Sequence, residues 1–560
     1  MKKKYLITSA LPYVNGNLHL GHMVGCLIPS DVYARFCRAM GRDVLYVCGS
    51  DDHGTPAMIA AQKAGKSVEQ YTAECFAAQK EQTEKLFLSL DGGYGRTHTD
   101  LQTKLVHNLF SRLDENGYIE EKATVQPYDA QGQAFLSDRQ IEGTCPKCGY
   151  EKARGDQCGK CDSLLDPSDL IKPYVADSGS KDIEWRETKN LFYRNDKTMS
   201  AVADWFADNH GMWSAAAVSN TKKYLSEDIP NPSVTRDLSW GIPVNKPGYE
   251  NKVFYVWFDA PWGYVSISQA ANKEWADWWH GGENCHYAQF MGKDNTKFHS
   301  IFFPGQELAL NENWKKVDQL KVMNFLNFEG GKVSKSLRNG IFANEALSEA
   351  PADCWRYAFM ASAPETDDTD FTIQRFADIV NKDLNGILGN FVSRVCKITE
   401  KNFGTNVPKQ LAISNGQLAI DENELNQKLS ELTAALDACE FRAAVSALRG
   451  LWSAGNEYFA KLEPWTLVKN GDLDAAGAVL NECFQLIDFY ARVSAPFIPA
   501  AAEKMRSIFS ISDEQLAISN WPSSYERRIA DGTQFAVPEN LFARIDSDKV
   551  AEMTAKYVKK

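Results

Sequence analysis

Apolar residues open the chain in a short run, Tyr5 to Ala10, that predicts a first β-strand. A loop follows, Leu11-Pro12-Tyr13-Val14-Asn15-Gly16-Asn17, then a helical stretch to about Met40 that Gly41 stops. Pro29 lies inside this stretch and is expected to kink it or to be accommodated near its middle. Asp43 to Cys48 reads as a second buried strand. Strand, crossover helix, strand is a right-handed parallel unit, and ligands of such sheets bind beyond the carboxyl ends of the strands. Two segments therefore fall on the ligand side: the loop ending His19-Leu20-Gly21-His22, and Ser50-Asp51-Asp52-His53-Gly54.

From Tyr118 to Ile242 the pattern breaks into short segments rich in Gly, Pro and Asp, the mark of an inserted domain. The α/β pattern resumes at Val253-Phe254-Tyr255-Val256-Trp257-Phe258. It continues with Tyr287–Met291, a helix near Phe298–Leu310 and a strand around Val322–Phe328. Beyond Asn381 the chain turns helical. Leu425, Leu429, Leu432 and Leu436 form one amphipathic stripe, Phe441, Val445, Leu448 and Trp452 another, with Gly450 a weak point. The expected division is 1–117 and 243–325 for two halves of one parallel-sheet domain and 118–242 for the insertion. Residues 326–380 form a connector, 381–550 a helical bundle and 551–560 a tail.

The 560 residues exceed what one core holds, in keeping with three or four units. Lys plus Arg total 61 against 73 Asp plus Glu, a net charge of −12. That balance argues against a surface that coats nucleic acid or anionic membrane, but leaves room for a local basic groove. No apolar run reaches the roughly 18 residues of a membrane span. Lys2 to Ile7 mimics a leader peptide until Thr8, Ser9 and Pro12 interrupt it, so a cytoplasmic protein is expected. Of 13 cysteines, nine are scattered as small apolar residues and four are clustered.

Cys145-Pro-Lys-Cys148 and Cys158-Gly-Lys-Cys161 are two knuckles nine residues apart. Four thiolates satisfy tetrahedral Zn²⁺ and leave no open position, so the site is read as structural, with disulfides as the alternative. His19 and His22, three apart with Gly21 between them, suit a nucleotide's phosphates at a helix N-terminus better than a metal, for which no third ligand is evident. Gly330-Gly331-Lys332-Val333-Ser334-Lys335-Ser336 is a glycine-hinged basic loop suited to closing on a triphosphate. A Walker-type phosphate loop is absent from the sequence.

HLGH and the later KVSKS resemble the paired HIGH and KMSKS signatures of class I aminoacyl-tRNA synthetases. The surrounding Ala10-Leu-Pro-Tyr13-Val-Asn-Gly16, Asp51-Asp-His-Gly-Thr-Pro56, Tyr255-Val-Trp257-Phe-Asp-Ala260-Pro261 and Gly292-Lys-Asp294 resemble the methionyl branch, over residues 4 to 550. The resemblance implies a split Rossmann-like α/β catalytic domain with a zinc-binding insertion, followed by an α-helical anticodon-binding bundle. It implies activation of L-methionine with ATP and Mg²⁺, then transfer to tRNA(Met). By the same resemblance His19, Gly21 and His22 contact ATP phosphates, Lys335 with Lys332 stabilises the transition state, and Gly292, Asp294 and the backbone near Leu326 hold ribose and adenine. Asp51 takes the substrate ammonium, and Leu11, Tyr13, Trp257, Ala260, Pro261, Tyr264 and His299 surround the thioether.

Asn390, Arg394 and Trp465 are implied to read the anticodon, an amide and a guanidinium at base edges and an indole by stacking. Asn295 and Lys297 depart from some relatives towards polarity, and Gly386 stands where some carry asparagine. Arg236 lies in a segment resembling a loop that reaches towards the active site. Without an appended dimerisation domain, a monomer is expected. The alternatives are another class I synthetase, of which the branched-chain enzymes carry a much larger editing insertion, or a non-catalytic zinc-dependent RNA-binding relative.

Overall fold

The computed structural model describes residues 3–132, 134–136, 140–155, 157–161, 163, 165–333, 339–410, 418–511 and 520–558. Strands β1 (Lys4–Ser9), β2 (Asp43–Val47), β3 (Cys285–Gly292) and β4 (Gln319–Met323) form one parallel sheet in the order β4-β3-β1-β2. Leu6 of β1 is flanked by Leu45 on one side and Tyr287 on the other, so the two halves of the chain meet in a single sheet across the insertion. All five residues of β4, and all of β3 before Gly292, are buried, as expected for a parallel sheet covered on both faces.

The β1–β2 crossover contains Leu20–His22, a π-helical turn Met23–Leu27 and helix Ile28–Ala39. The wide turn is how Pro29 is accommodated: proline offers no N–H and its ring crowds the carbonyl four residues back. Just after the proline, Ser30 Oγ adds bonds to the carbonyls of Cys26 (2.6 Å) and Leu27 (3.0 Å). The β3–β4 crossover repeats the device, with a π-turn at Phe298–Phe302 ahead of Pro304 in helix Phe303–Ala309.

Two apolar runs divide. Only Val253–Phe254 is strand, paired with Thr235–Arg236, and the chain turns helical from Val256. The Val322–Phe328 run splits at Asn324, whose N–H bonds the Pro364 carbonyl (2.8 Å). Leu326–Phe328 then pairs with Gly331–Lys332 and Thr369–Phe371 instead of the main sheet. Short, mainly apolar runs carry no periodicity that distinguishes helix from strand. The insertion is built on the antiparallel pair Ile119–Asp129 and Ile183–Tyr193, with the small sheet Ile141–Thr144, Ala153–Arg154 and Ile171–Val175 beside the cysteines.

Both predicted leucine and aromatic stripes are buried, in helices Glu422–Asp437 and Phe441–Leu462. Helix Leu473–Ser494 packs so close to the latter that a Cβ on Gly455 would fall 2.3 Å from the Tyr490 hydroxyl, which donates to the Leu451 carbonyl. No helix among the described residues is long and apolar enough to cross a membrane.

The final helix, Ser547–Tyr557, returns to the connector, where Lys549 (2.7 Å), Lys556 (2.6 Å) and the Tyr557 hydroxyl (2.6 Å) converge on the buried Glu349 carboxylate. Burial raises the Glu349 pKa, but these three donors outweigh it and hold the carboxyl at about 2, below its ordinary 4.5. A depressed folded-state pKa gives stability that is present above pH 4.5 and lost as pH falls towards 2. Thermal unfolding between pH 5 and 3 is therefore expected to show a steeper loss in the wild type than in Glu349→Gln; equal slopes would refute the role given to this carboxylate.

Candidate functional site

The loops at the carboxyl ends of β1, β2 and β3 gather the histidines, acids and aromatics that the sequence singled out. His19 is extended (φ −121°, ψ 172°) and precedes the turn Leu20–His22. Its backbone N–H donates to His22 Nδ1 (3.2 Å), and the two rings stack with centroids 3.7 Å apart. A Cβ on Gly21 would lie 2.9 Å from His19 Cε1, so the stacked pair needs glycine there. Ala343 N–H bonds the Leu18 carbonyl (2.8 Å), Leu20 N–H bonds the Ile341 carbonyl (3.3 Å), and His19 bridges to Phe342. The chain leaving the lysine loop is thus laid against the histidine pair. The backbone of Lys332 pairs with Asn327; its side chain, and all of Lys335, lie outside the described residues.

Asp51 N–H bonds the Pro12 carbonyl (2.8 Å) and Val14 N–H the Asp51 carbonyl (3.1 Å), stitching the first loop to the end of β2. The adjacent carboxylates differ. Asp52 is buried and engaged by Arg96 Nε (3.0 Å), Ser50 Oγ (2.6 Å) and the Thr97 N–H (3.3 Å), a structural role. Asp51, also buried, sits beside Tyr13.

Tyr13 OH accepts from Trp257 Nε1 (2.9 Å), and Trp257 packs on Phe298 with centroids 4.1 Å apart. His299 Nδ1 lies 2.9 Å from the Asn295 carbonyl, which only accepts, so Nδ1 carries the proton. Nε2 then accepts from the buried Tyr264 hydroxyl at 3.0 Å. Burial lowers the His299 pKa to about 4, leaving a neutral ring. Ala260 and Pro261 form the turn before helix Gly263–Ala271. A Cβ on Gly263 would press on Leu11 and Thr97. The result is a neutral, aromatic wall whose polar atoms bond one another, suited to a flexible thioether.

Gly292 ends β3 and opens the turn Lys293–Asn295; a Cβ there would lie 2.8 Å from Asp294 Oδ1. Leu326 is buried at the start of its short strand. Of the two polar departures, Asn295 turns its side-chain amide to Asp294 Oδ1 (3.4 Å), while its backbone carbonyl meets His299, and Lys297 faces Tyr224 of the insertion. Arg236 lies over the Tyr255 ring at 3.7 Å.

The four clustered cysteines bring their sulfurs within 4.8 Å of one another, with Cys145–Cys161 at 3.9 Å and Cys148–Cys158 at 3.6 Å. A tetrahedron with Zn–S bonds of about 2.3 Å requires sulfurs roughly 3.8 Å apart, so the donor set fits zinc. Far from the sheet, Asn390 and Arg394 lie exposed on helix Asn390–Phe403. Arg394 is 5.1 Å from the Trp465 ring centroid and 4.9 Å from that of Phe459. Trp465 is 37% exposed, launched by the left-handed Glu463 (φ 43°) and Pro464. Gly386 has a local reason: it lies in the wide turn Val380–Gly389, where a Cβ would sit 2.9 Å from the Asn381 carbonyl.

Two groups escaped the sequence reading. Phe298 backs Trp257, and the buried Asp259 holds His53 Nδ1 at 2.7 Å. Neither carries a spacing signal, because their partners are distant in the chain.

Residues 5–396 match the family model described as tRNA synthetases class I (M), and residues 407–560 match the anticodon binding domain of methionyl tRNA ligase. The methionine–tRNA ligase of Streptomyces avermitilis is 43% identical over 564 residues, 97% of each chain. That of Caulobacter vibrioides is 42% identical over 575 residues, 99% of each. Among solved structures, Mycobacterium tuberculosis methionyl-tRNA synthetase bound by methionyl-adenylate superposes with a TM-score of 0.78 at 21% identity. It covers 97% of this chain and 100% of its own, and at that identity the likeness is one of fold.

Proposed function

The chain belongs to the methionine–tRNA ligase family of class I synthetases, and from that premise we propose how its own residues perform the two-step reaction. In the first step the carboxylate of L-methionine attacks the α-phosphate of ATP, accompanied by Mg²⁺, and pyrophosphate leaves. Such a step needs positioning and charge stabilisation and no covalent enzyme intermediate. The stacked His19 and His22, with Gly21 permitting close approach, meet the phosphates. Lys335, with Lys332, meets the negative charge that develops on them. Gly292, Asp294 and the Leu326 backbone hold the nucleoside.

Asp51 takes the ammonium of methionine. Leu11, Tyr13, Trp257, Ala260, Pro261, Tyr264 and His299 enclose its side chain, with His299 neutral so that no charge opposes the thioether. In the second step a hydroxyl of the terminal ribose of tRNA attacks the carbonyl of methionyl-adenylate, forming the ester as the acyl–phosphate bond breaks and AMP leaves, while Asn390, Arg394 and Trp465 read the anticodon. Zn²⁺ held by Cys145, Cys148, Cys158 and Cys161 would supply a structural cross-link in the insertion.

The observation that carries this reading is the backbone pairing of Leu18–Leu20 with Ile341–Ala343, which joins the histidine pair to the exit of the lysine loop beside the aromatic wall. Methionine-dependent ATP–pyrophosphate exchange tests it: exchange with methionine and with no other amino acid is expected, and its absence would overturn the proposal. For the anticodon residues, Trp465→Ala removes a stacking face worth about 1–3 kcal/mol. Its KM for tRNA should rise roughly 5- to 150-fold, with the KM for methionine unchanged; equal shifts in both would refute stacking.

A further inference from the structure

Between the insertion and the ligand end of the sheet lies a cleft of about 710 Å³ whose walls include Asn190, Tyr224, Arg236, Trp257, Lys297 and Phe302. Lys297 is the residue just before the π-turn that carries His299, and it is only 5% exposed. Its ammonium lies 5.3 Å from the Tyr224 ring centroid and 5.8 Å from that of Phe302. Among the described residues no carboxylate comes within ion-pair distance of it; buried lysines elsewhere, such as Lys321 against Glu365 at 2.8 Å, have one. Aromatic faces offset only part of the cost of burying an ammonium. A buried cation kept on the wall of an open cleft therefore points to an anionic ligand.

Arg236, stacked on Tyr255, places a second cation in the same cleft beside Trp257. Cations interleaved with aromatic rings suit the phosphates and bases of a single-stranded nucleotide chain. Trp257 belongs both to this cleft and to the aromatic wall at Tyr13, so the cleft opens where the activated amino acid would lie. A polyanion reaching that point on a protein of net charge −12 needs local cations on its path.

We propose that Lys297 is a positioning residue for the transfer step, holding a phosphate of the single-stranded 3′ end of tRNA as the terminal nucleotide enters from the insertion side. This rests on the function proposed above. A phosphate of ATP would offer Lys297 the same chemistry, and the two steps of the reaction separate the sources.

Burial lowers the Lys297 pKa to about 8, with Glu227 opposing the shift and Lys223 adding to it. Asp228, Arg236 and Asp294 also line the cleft, and His299 behind it is neutral. The ammonium is consequently lost as pH rises through about 8.

Lys297→Met keeps the length of the side chain and removes the charge, and Lys297→Arg keeps the charge. In the Met variant, methionine-dependent ATP–pyrophosphate exchange should stay within about twofold of wild type. Single-turnover transfer from preformed adenylate to tRNA should fall about tenfold or more, the loss of one charged hydrogen bond. Wild-type transfer should decline between pH 7 and 9, and the Arg variant should transfer at near wild-type rate without that decline.

Unchanged transfer in Lys297→Met would overturn the inference. So would equal loss of exchange and transfer, or a selective rise in the KM for ATP, which would place Lys297 on the nucleotide instead. No exchange in the wild type would overturn the functional proposal itself.

Discussion

Removing zinc from the Cys145, Cys148, Cys158 and Cys161 knuckles is expected to unfold the surrounding small sheet while the catalytic sheet stays folded. Among the described residues, the separate core there contains Ile141, Cys145, Ala153, Cys158 and Leu170 as buried apolar residues, two of them cysteines. So few side chains supply little hydrophobic stabilisation on their own. Structural zinc in comparably small modules contributes about 10–16 kcal/mol of apparent binding free energy, which becomes folding free energy where the apo site does not form. The catalytic sheet draws on its own, far larger cluster, including Leu6, Ile7, Leu45, Ala288 and Val322.

Wild-type protein should release one zinc per chain on titration with a mercurial. Proteolysis should then cut within residues 130–180 while the rest resists. Lys147 and Cys161 also line the cleft at Lys297, so transfer to tRNA should fall with zinc loss. A protein that holds no zinc and resists proteolysis equally with and without a chelator would refute this account.

Arg356→Leu is expected to destabilise the whole molecule by about 3–5 kcal/mol, the cost of breaking a buried ion pair from one side. Arg356 is fully buried, bonds Asp31 Oδ2 at 2.7 Å, and donates to the carbonyls of Leu86 (3.0 Å), Pro496 (2.7 Å) and Phe497 (3.0 Å). One guanidinium thus ties the β1–β2 crossover, the chain after the next helical hairpin, the connector and the helical bundle. Burial raises the Asp31 pKa, but Arg35 and Arg356 outweigh it and hold the carboxylate charged. Leucine fills part of the space but leaves three carbonyls without their donor. Denaturant unfolding should show the midpoint falling at an unchanged slope. A change below about 1 kcal/mol would mean that Arg35 and water replace the lost contacts.

Much of this was legible in the chain. The leucine stripe at 425–436 and the aromatic stripe at 441–452 are buried as their spacing demands, because a helix repeats every 3.6 residues whatever surrounds it. The β1–β2 unit followed from two apolar runs flanking a helical stretch. The run Val253–Phe258 misled because all six of its residues are apolar, although Tyr255 and Trp257 are only half-buried, and a short continuous apolar run shares one pattern between helix and strand. The outward-facing residues at 390, 394 and 465 were legible only through their motif, since nothing in their spacing brings Trp465 onto Arg394.

The sequence by itself determined what depends on neighbours in the chain: the knuckle geometry of four thiols, the histidine pair around Gly21, and the faces of the bundle helices. Short covalent spacing keeps such groups within reach of one another, so local structure alone can bring them together. Only the tertiary structure decided that Asp52 is consumed by Arg96, that burial keeps His299 neutral with the Tyr264 hydroxyl on its Nε2, and that Lys297 is buried against Tyr224. Those outcomes depend on desolvation and on partners tens of residues away, which no local spacing records.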